Sequence, residues 1–114
     1  MSLNTTEKYS LKWNVNDFQK TVSNSFSLLR SESDLCDVTL VSEDFIYTNA
    51  HKVVLSSSSK FFKTLLKKTS GSPNALLYLG GISSQNLKYC LDYMYNGEVE
   101  VLHDHLDELL TQAQ

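Results

Sequence analysis

Between Asp37 and Leu66 the chain reads DVTLVSEDFIYTNAHKVVLSSSSKFFKTLL, and a stretch of this pattern can fold in few ways. Val38 to Val41 and Phe45 to Ala50 are β-prone runs separated only by Ser42, Glu43 and Asp44, which predicts an antiparallel pair joined by a tight turn. Helical spacing then begins at His51, with Val54 and Leu55 facing inward. Ser56 to Ser59 interrupt it, because serine side chains compete for the backbone. Ser58 or Ser59 can cap a second helix with Phe61, Phe62, Leu65 and Leu66 on its buried face and Lys67 and Lys68 at the C-terminal end of its dipole. Asp37 and Lys52 are two charges where such a segment would carry neither. An unpaired charge taken from water costs an amount comparable with a domain's whole stability margin, so the two read as partners.

The flanks are organised around this stretch. Tyr9, Leu11 and Trp13 alternate with Ser10, Lys12 and Asn14, the period-two signature of a strand with one apolar face. A strand at a chain end cannot satisfy its own backbone and needs a sheet edge, in its own fold or on another chain. Asn16, with Gln19 three residues on, has the form of a capping box for a helix reaching about Arg30, on which Val15, Phe18, Val22, Phe26 and Leu29 recur at helical spacing. Downstream, TSGSPN is a loop and Ala75 to Leu79 a short strand. Ser83 or Ser84 caps a helix with Leu87, Cys90, Leu91 and Met94 on one face, flanked by Tyr89, Tyr93 and Tyr95 and stopped at Asn96 and Gly97. Glu98 to Val101 alternate as another strand. Leu106, Leu109, Leu110 and Ala113 begin a last helix capped near Asp104. No Gly or Pro ends it, which reads as a domain continuing into a longer polypeptide. Residues 1–8 are polar and expected to be disordered; residues 9–114 form one domain, since 114 residues support one core.

Composition excludes several classes. The net charge of −3 argues against an affinity for nucleic-acid backbone carried by this segment itself. No apolar run has the length of a membrane span, and MSLNTTEK lacks a signal-peptide core. Cys36 and Cys90 are too few for a disulfide framework and read as free thiols in a reducing compartment. No catalytic set emerges either. His51 reads as a residue bracing a corner. His103 and His105 flank Asp104 but point apart at i and i+2 on a helix, so no metal site is expected. The serine run lacks GxSxG, and TSGS lacks the phosphate-loop pattern. The chain is therefore read as a non-enzyme without cofactor. The stripe Lys60, Lys63, Lys67 and Lys68 is read as a solvated helix face.

What remains is an α/β assembly of short strands wrapped by helices, with apolar strands at both ends. If the strand with Tyr9, Leu11, Trp13 and Asn14 pairs with the strand containing Val99 and Val101 of a second copy, and Phe18 and Val22 pack on the twin helix, the interface would exceed about 2,000 Å², in the range of obligate dimers.

DVTL at 37–40, AHKVVLSSSSKFF at 50–62 and LDYMYNGEVEV at 91–101, in this order and spacing, resemble the BTB/POZ domain. YSLKWN at 9–14 is similar to the opening strand of its tramtrack-type group. The resemblance implies an α+β fold with a short mixed sheet surrounded by helices, and an obligate strand-exchanged homodimer, with further assembly into hexamers. It also implies a nuclear transcription regulator or chromatin-architecture protein whose DNA contacts are made by a downstream module such as zinc fingers. Other BTB proteins or corepressors are the implied partners, and Asp37 and Lys52 match a charged pocket near the dimer groove. The chain departs from the group at Ser57 to Phe62 and at Asn74 and Ala75, positions that bear on partner contacts more than on fold. The alternative BTB role, a substrate adaptor for cullin-type ubiquitin ligases, goes with a hydrophobic-x-Glu element before the third strand, and TSGSPN holds no acid.

Overall fold

The computed structural model describes residues 7–69 and 71–105. Its elements are α1 (Val15–Ser31), β1 (Val38–Val41), β2 (Tyr47–Ala50), α2 (Lys52–Ser58), α3 (Lys60–Lys67), β3 (Ala75–Tyr78) and α4 (Ser84–Asn96). The fold is α+β: a three-stranded mixed sheet in the order β2-β1-β3 with helices around it. β1 and β2 are antiparallel, with Val38 opposite Ala50 and Val41 opposite Tyr47. β3 runs parallel to β1, with Val38 opposite Ala75. The parallel pairing arises because β2 first returns the chain to the starting end of β1, from which the α2–α3 hairpin carries it across to the opposite edge.

Alternation places Val38, Leu40 and Ala50 on the inner face, where they meet Val54 and Leu55 of α2, Phe62 and Leu66 of α3, and Leu87, Leu91 and Tyr95 of α4. The opposite face presents Tyr47, Leu76 and Tyr78 to solvent, with Phe45 stacked on Tyr78 at 5.9 Å. Ser59 caps α3 by accepting from the Phe62 amide, and Ser83 caps α4 by accepting from the Asn86 amide. Gly97 closes α4 in the left-handed conformation with φ 79°, a geometry that costs glycine nothing.

Several expectations change. Phe45 lies in the turn with φ 61°, its amide donating to the Ser42 carbonyl, so β2 starts at Tyr47. Ser56 to Ser58 stay helical, and the break falls at Ser59 alone. Phe61 points outward while Phe62 is buried, since adjacent helix positions lie 100° apart. Tyr89 and Tyr95 are buried rather than flanking: Tyr89 Oη meets His105 Nδ1 at 2.9 Å, and Tyr95 lies under α1 and the sheet corner. The cap of α1 is Asn14, whose Oδ1 accepts from the Asn16 and Asp17 amides; Asn16 is the second helical residue. Residues 106–114, including Leu106, Leu109, Leu110 and Ala113 of the expected last helix, lie outside the described residues, as do residues 1–6 of the N-terminal segment.

Two polar ties hold the corners. Tyr95 Oη accepts from the His51 amide at 2.9 Å and lies 2.7 Å from His51 Nδ1, while His51 Nε2 lies 2.8 Å from the Asp34 carbonyl. A carbonyl only accepts, so Nε2 carries the hydrogen and Tyr95 donates to Nδ1. His51 thus braces the corner between β2 and α2. At the opposite end of β1, Asp44 accepts from Ser42 Oγ, from the Ser84 amide at 2.9 Å and from Ser84 Oγ, tying the β1–β2 turn to the start of α4.

Tyr95→Phe leaves two His51 nitrogens unmatched, and a loss of about 1–3 kcal/mol in denaturant unfolding is expected. An unchanged midpoint would show that the hydroxyl is dispensable. The hydroxyls of Ser42 and then Ser84 lower the Asp44 pKa from 3.8 to about 2. With the folded value below the unfolded one, the Asp44 contribution is complete above about pH 4 and is lost as pH falls through the folded value. Asp44→Asn is expected to flatten that part of the stability–pH curve, read as thermal midpoint against pH; an identical acid limb would contradict the assignment.

Candidate functional site

The residues expected at the interface fall into three places. The first is the arm before α1. Tyr9, Leu11 and Trp13 are 72%, 95% and 62% exposed, and residues 7–14 form no strand. The expected period-two strand is absent because residues 7–13 make no backbone hydrogen bond to any other described residue. Trp13 folds edge-to-face on Phe18 with centroids 5.5 Å apart, and Asn14 turns the chain into α1. Asn14 therefore has a local role that the alternating pattern did not reveal.

The second is α1 itself. None of its seventeen residues is buried. Its inner edge is held to α4 by polar contacts: Ser23 Oγ donates to the Tyr95 carbonyl at 2.8 Å, Ser27 Oγ donates to Asn96 Oδ1, and Arg30 pairs with Asp92 while lying 4.6 Å over the Tyr95 ring. The apolar stripe runs off the domain. Phe26 and Leu29 at its C-terminal end are half-buried, Val22 is intermediate, and Val15 and Phe18 are exposed.

The third is the segment after α4. Glu98 to Val101 form no strand, and Val99 and Val101 are half-buried with no backbone hydrogen bond to another described residue. Between this segment and the N-terminal half of α1 lies an open groove of about 920 Å³, lined by Asn16, Gln19, Ser23 and Asn96 with Asp92, Glu98 and Glu100. The structure brings Val99 to the same groove as α1. It does not bring the arm there: Tyr9, Leu11 and Trp13 lie apart from Val99 and Val101 within one chain.

Asp37 and Lys52 do not form the expected pair. Asp37 is half-buried at the head of β1, where its amide donates to the Ala50 carbonyl and its own carbonyl accepts from the Ala75 amide. Its Oδ1 accepts from the Lys52 backbone amide at 2.7 Å, so the carboxylate caps α2. The Lys52 ammonium turns away and donates to the Ser72 carbonyl at 2.8 Å. The reason is stereochemical: a helix start offers unsatisfied N–H groups that a carboxylate meets at short range, and the long lysine stem keeps its charge in water. The Arg30–Asp92 pair, which holds α1, was missed, because residues 62 apart share no pattern in the sequence.

Burial raises the pKa of the Cys36 and Cys90 thiols, leaving little thiolate. Among the described residues, no group of three or more His, Cys, Asp and Glu is placed to hold a metal, and no helix is long and apolar enough to cross a membrane.

The BTB/POZ domain model matches residues 26–114. The chain belongs to the BTB/POZ family. Three relatives of this BTB domain come from Drosophila melanogaster, and of these Protein abrupt is 41% identical over 94% of this chain and 11% of its own length. Longitudinals lacking protein-like is 38% identical over 97% of this chain and 84% of its own length, and Transcription activator GAGA is 37% identical over 100% and 19%. The chain thus spans a small part of abrupt and GAGA and most of the Longitudinals lacking-like protein. These relatives are of the tramtrack type, as YSLKWN suggested. The BTB domain of zebrafish PATZ1 superposes with a TM-score of 0.77 at 24% identity, covering 91% of this chain and 84% of that one, which establishes the shared fold.

Since Asp37 acts as an acceptor at a helix start, Asp37→Ala should cost about 0.5–2 kcal/mol. Asp37→Asn keeps an acceptor and loses only the charge at the dipole, about 0.3–1 kcal/mol. Guanidinium unfolding of both variants distinguishes the roles: equal losses would put the effect in the charge.

Proposed function

We propose that this BTB domain is the homo-oligomerising, protein-interaction module of a nuclear DNA-binding transcription regulator or chromatin-architecture protein. The observation that carries the reading is α1: a seventeen-residue helix with an apolar stripe and no buried residue, preceded by an exposed Tyr-Leu-Trp arm. A helix whose N-terminal apolar residues stand in solvent gains stability by burying them, and a second copy offers the same stripe across a two-fold axis. The arm before Asn14 and Glu98 to Val101 are two segments whose backbone groups make no hydrogen bond to another described backbone group. Exchanging them between copies satisfies both.

The regulatory context rests on the relatives, one of which is named a transcription activator. Linking several weak DNA-reading heads through an oligomer raises their avidity without new DNA contacts, which is the mechanism proposed for the intact protein. Assembly beyond the dimer and corepressor docking in the dimer groove are compatible with it. No observation favours a cullin adaptor.

Light scattering at low micromolar concentration is expected to show a dimer or larger species, and a monomer would overturn the reading. Removing residues 1–14 should reduce assembly size or solubility, and Phe18→Glu should shift the species toward monomer. An unchanged mass for both would take the arm and α1 out of the interface.

A further inference from the structure

The modest net charge hides a sorted distribution. Residues 45–91 contain six lysines and no Asp or Glu, so all thirteen acids lie before Phe45 or after Leu91. The fold gathers four of those lysines on one short helix. Lys60, Lys63 and Lys67 project from the solvent side of α3, Lys68 is its C-cap, and all four are exposed. At 100° per residue they fill, with Thr64, the arc opposite buried Phe62 and Leu66, and Phe61 lies at its border, 61% exposed. Among the described residues the one ion pair is Arg30–Asp92, so none of their carboxylates pairs with these lysines.

The arrangement works against the helix that carries it. Lys60 is the first residue of α3, at the positive end of the dipole, and the first turn has no acid. Lys60 with Lys63, and Lys63 with Lys67, are like charges at the spacings where side chains meet. An ordinary solvated face interleaves Glu with Lys. A local rule broken without internal compensation marks a surface completed by something else, here an anion.

We propose that the outer face of α3 docks an acidic, amphipathic peptide segment of a partner protein, with carboxylates on Lys60, Lys63 and Lys67 and an apolar side chain on Phe61. A peptide fits better than a duplex for two reasons. The three lysines span only about 10 Å of helix at 1.5 Å per residue, which suits a few carboxylates, whereas the acidic flanks repel a long polyanion. Phe61 also has no use on a phosphate backbone but gives a Leu or Phe a place to land. The surface is separate from the arm and groove, and its test does not depend on the oligomer.

The test is fluorescence anisotropy of the full chain with a labelled peptide of about 14 residues alternating Asp and Glu with Leu and Phe, beside a duplex of about 20 base pairs. Peptide binding is expected that weakens as salt rises from about 0.05 to 0.3 M. Combining Lys60→Glu, Lys63→Glu and Lys67→Glu should weaken it about tenfold or more while leaving the thermal midpoint unchanged or higher, because the new acid at position 60 suits the dipole. Phe61→Ala should weaken the peptide without altering its salt dependence. If the charge-reversed chain fails to fold, Gln at the same three positions must give the loss. Equal affinity in wild type and variant, no binding by wild type, or tighter binding of the duplex than of the peptide would each overturn the proposal.

Discussion

The Tyr95 hydroxyl is where three parts of this domain meet. The chain turns from β2 into α2 at His51, and the His51 amide there has neither a strand nor a helix partner. Left buried and unpaired, that group would cost as much as a lost hydrogen bond, so the corner depends on an acceptor brought from elsewhere. α4 brings it, and the same residue accepts Ser23 of α1 on its carbonyl and carries the Arg30 guanidinium over its ring. Burial on one side and polar satisfaction on the other make α4 the element against which both the sheet and α1 are placed.

That placement leaves α1 half used. Its C-terminal end is packed through Phe26, Leu29 and the Arg30–Asp92 pair, and its N-terminal end carries Val15 and Phe18 into solvent, with Trp13 folded over Phe18. The core of the single chain ends at α4, and the hydrophobic stripe continues past it. A surface of this kind links fold to function directly: the stability that α1 lacks within the chain is available from a second chain, as proposed above.

The sheet, the two-helix hairpin and α4 were legible because their signals are local. Apolar periodicity marks β1, α2, α3 and α4, and Ser59, Ser83 and Gly97 mark their ends through hydrogen bonds to residues three or four positions away. The candidate interface residues were less legible. Tyr9, Leu11 and Trp13 were recognised as needing a partner, but whether they form a strand depends on an edge that the single chain does not bring to them. Asp37 and Lys52 were expected to pair through their charges, whereas the contact runs from carboxylate to backbone amide, because residue type does not say which atom of a neighbour a charge will meet.

The amino-acid sequence by itself determined the order and type of nearly every described element and the family to which the chain belongs, since turn chemistry, capping and periodicity act within a few residues. Tertiary structure alone decided that β3 lies parallel beside β1, that Tyr95 and Tyr89 are buried, and that Arg30 finds Asp92. Each of these depends on groups far apart in sequence meeting in a medium where unpaired charges and amides are costly, and that condition exists only once the chain has closed on itself.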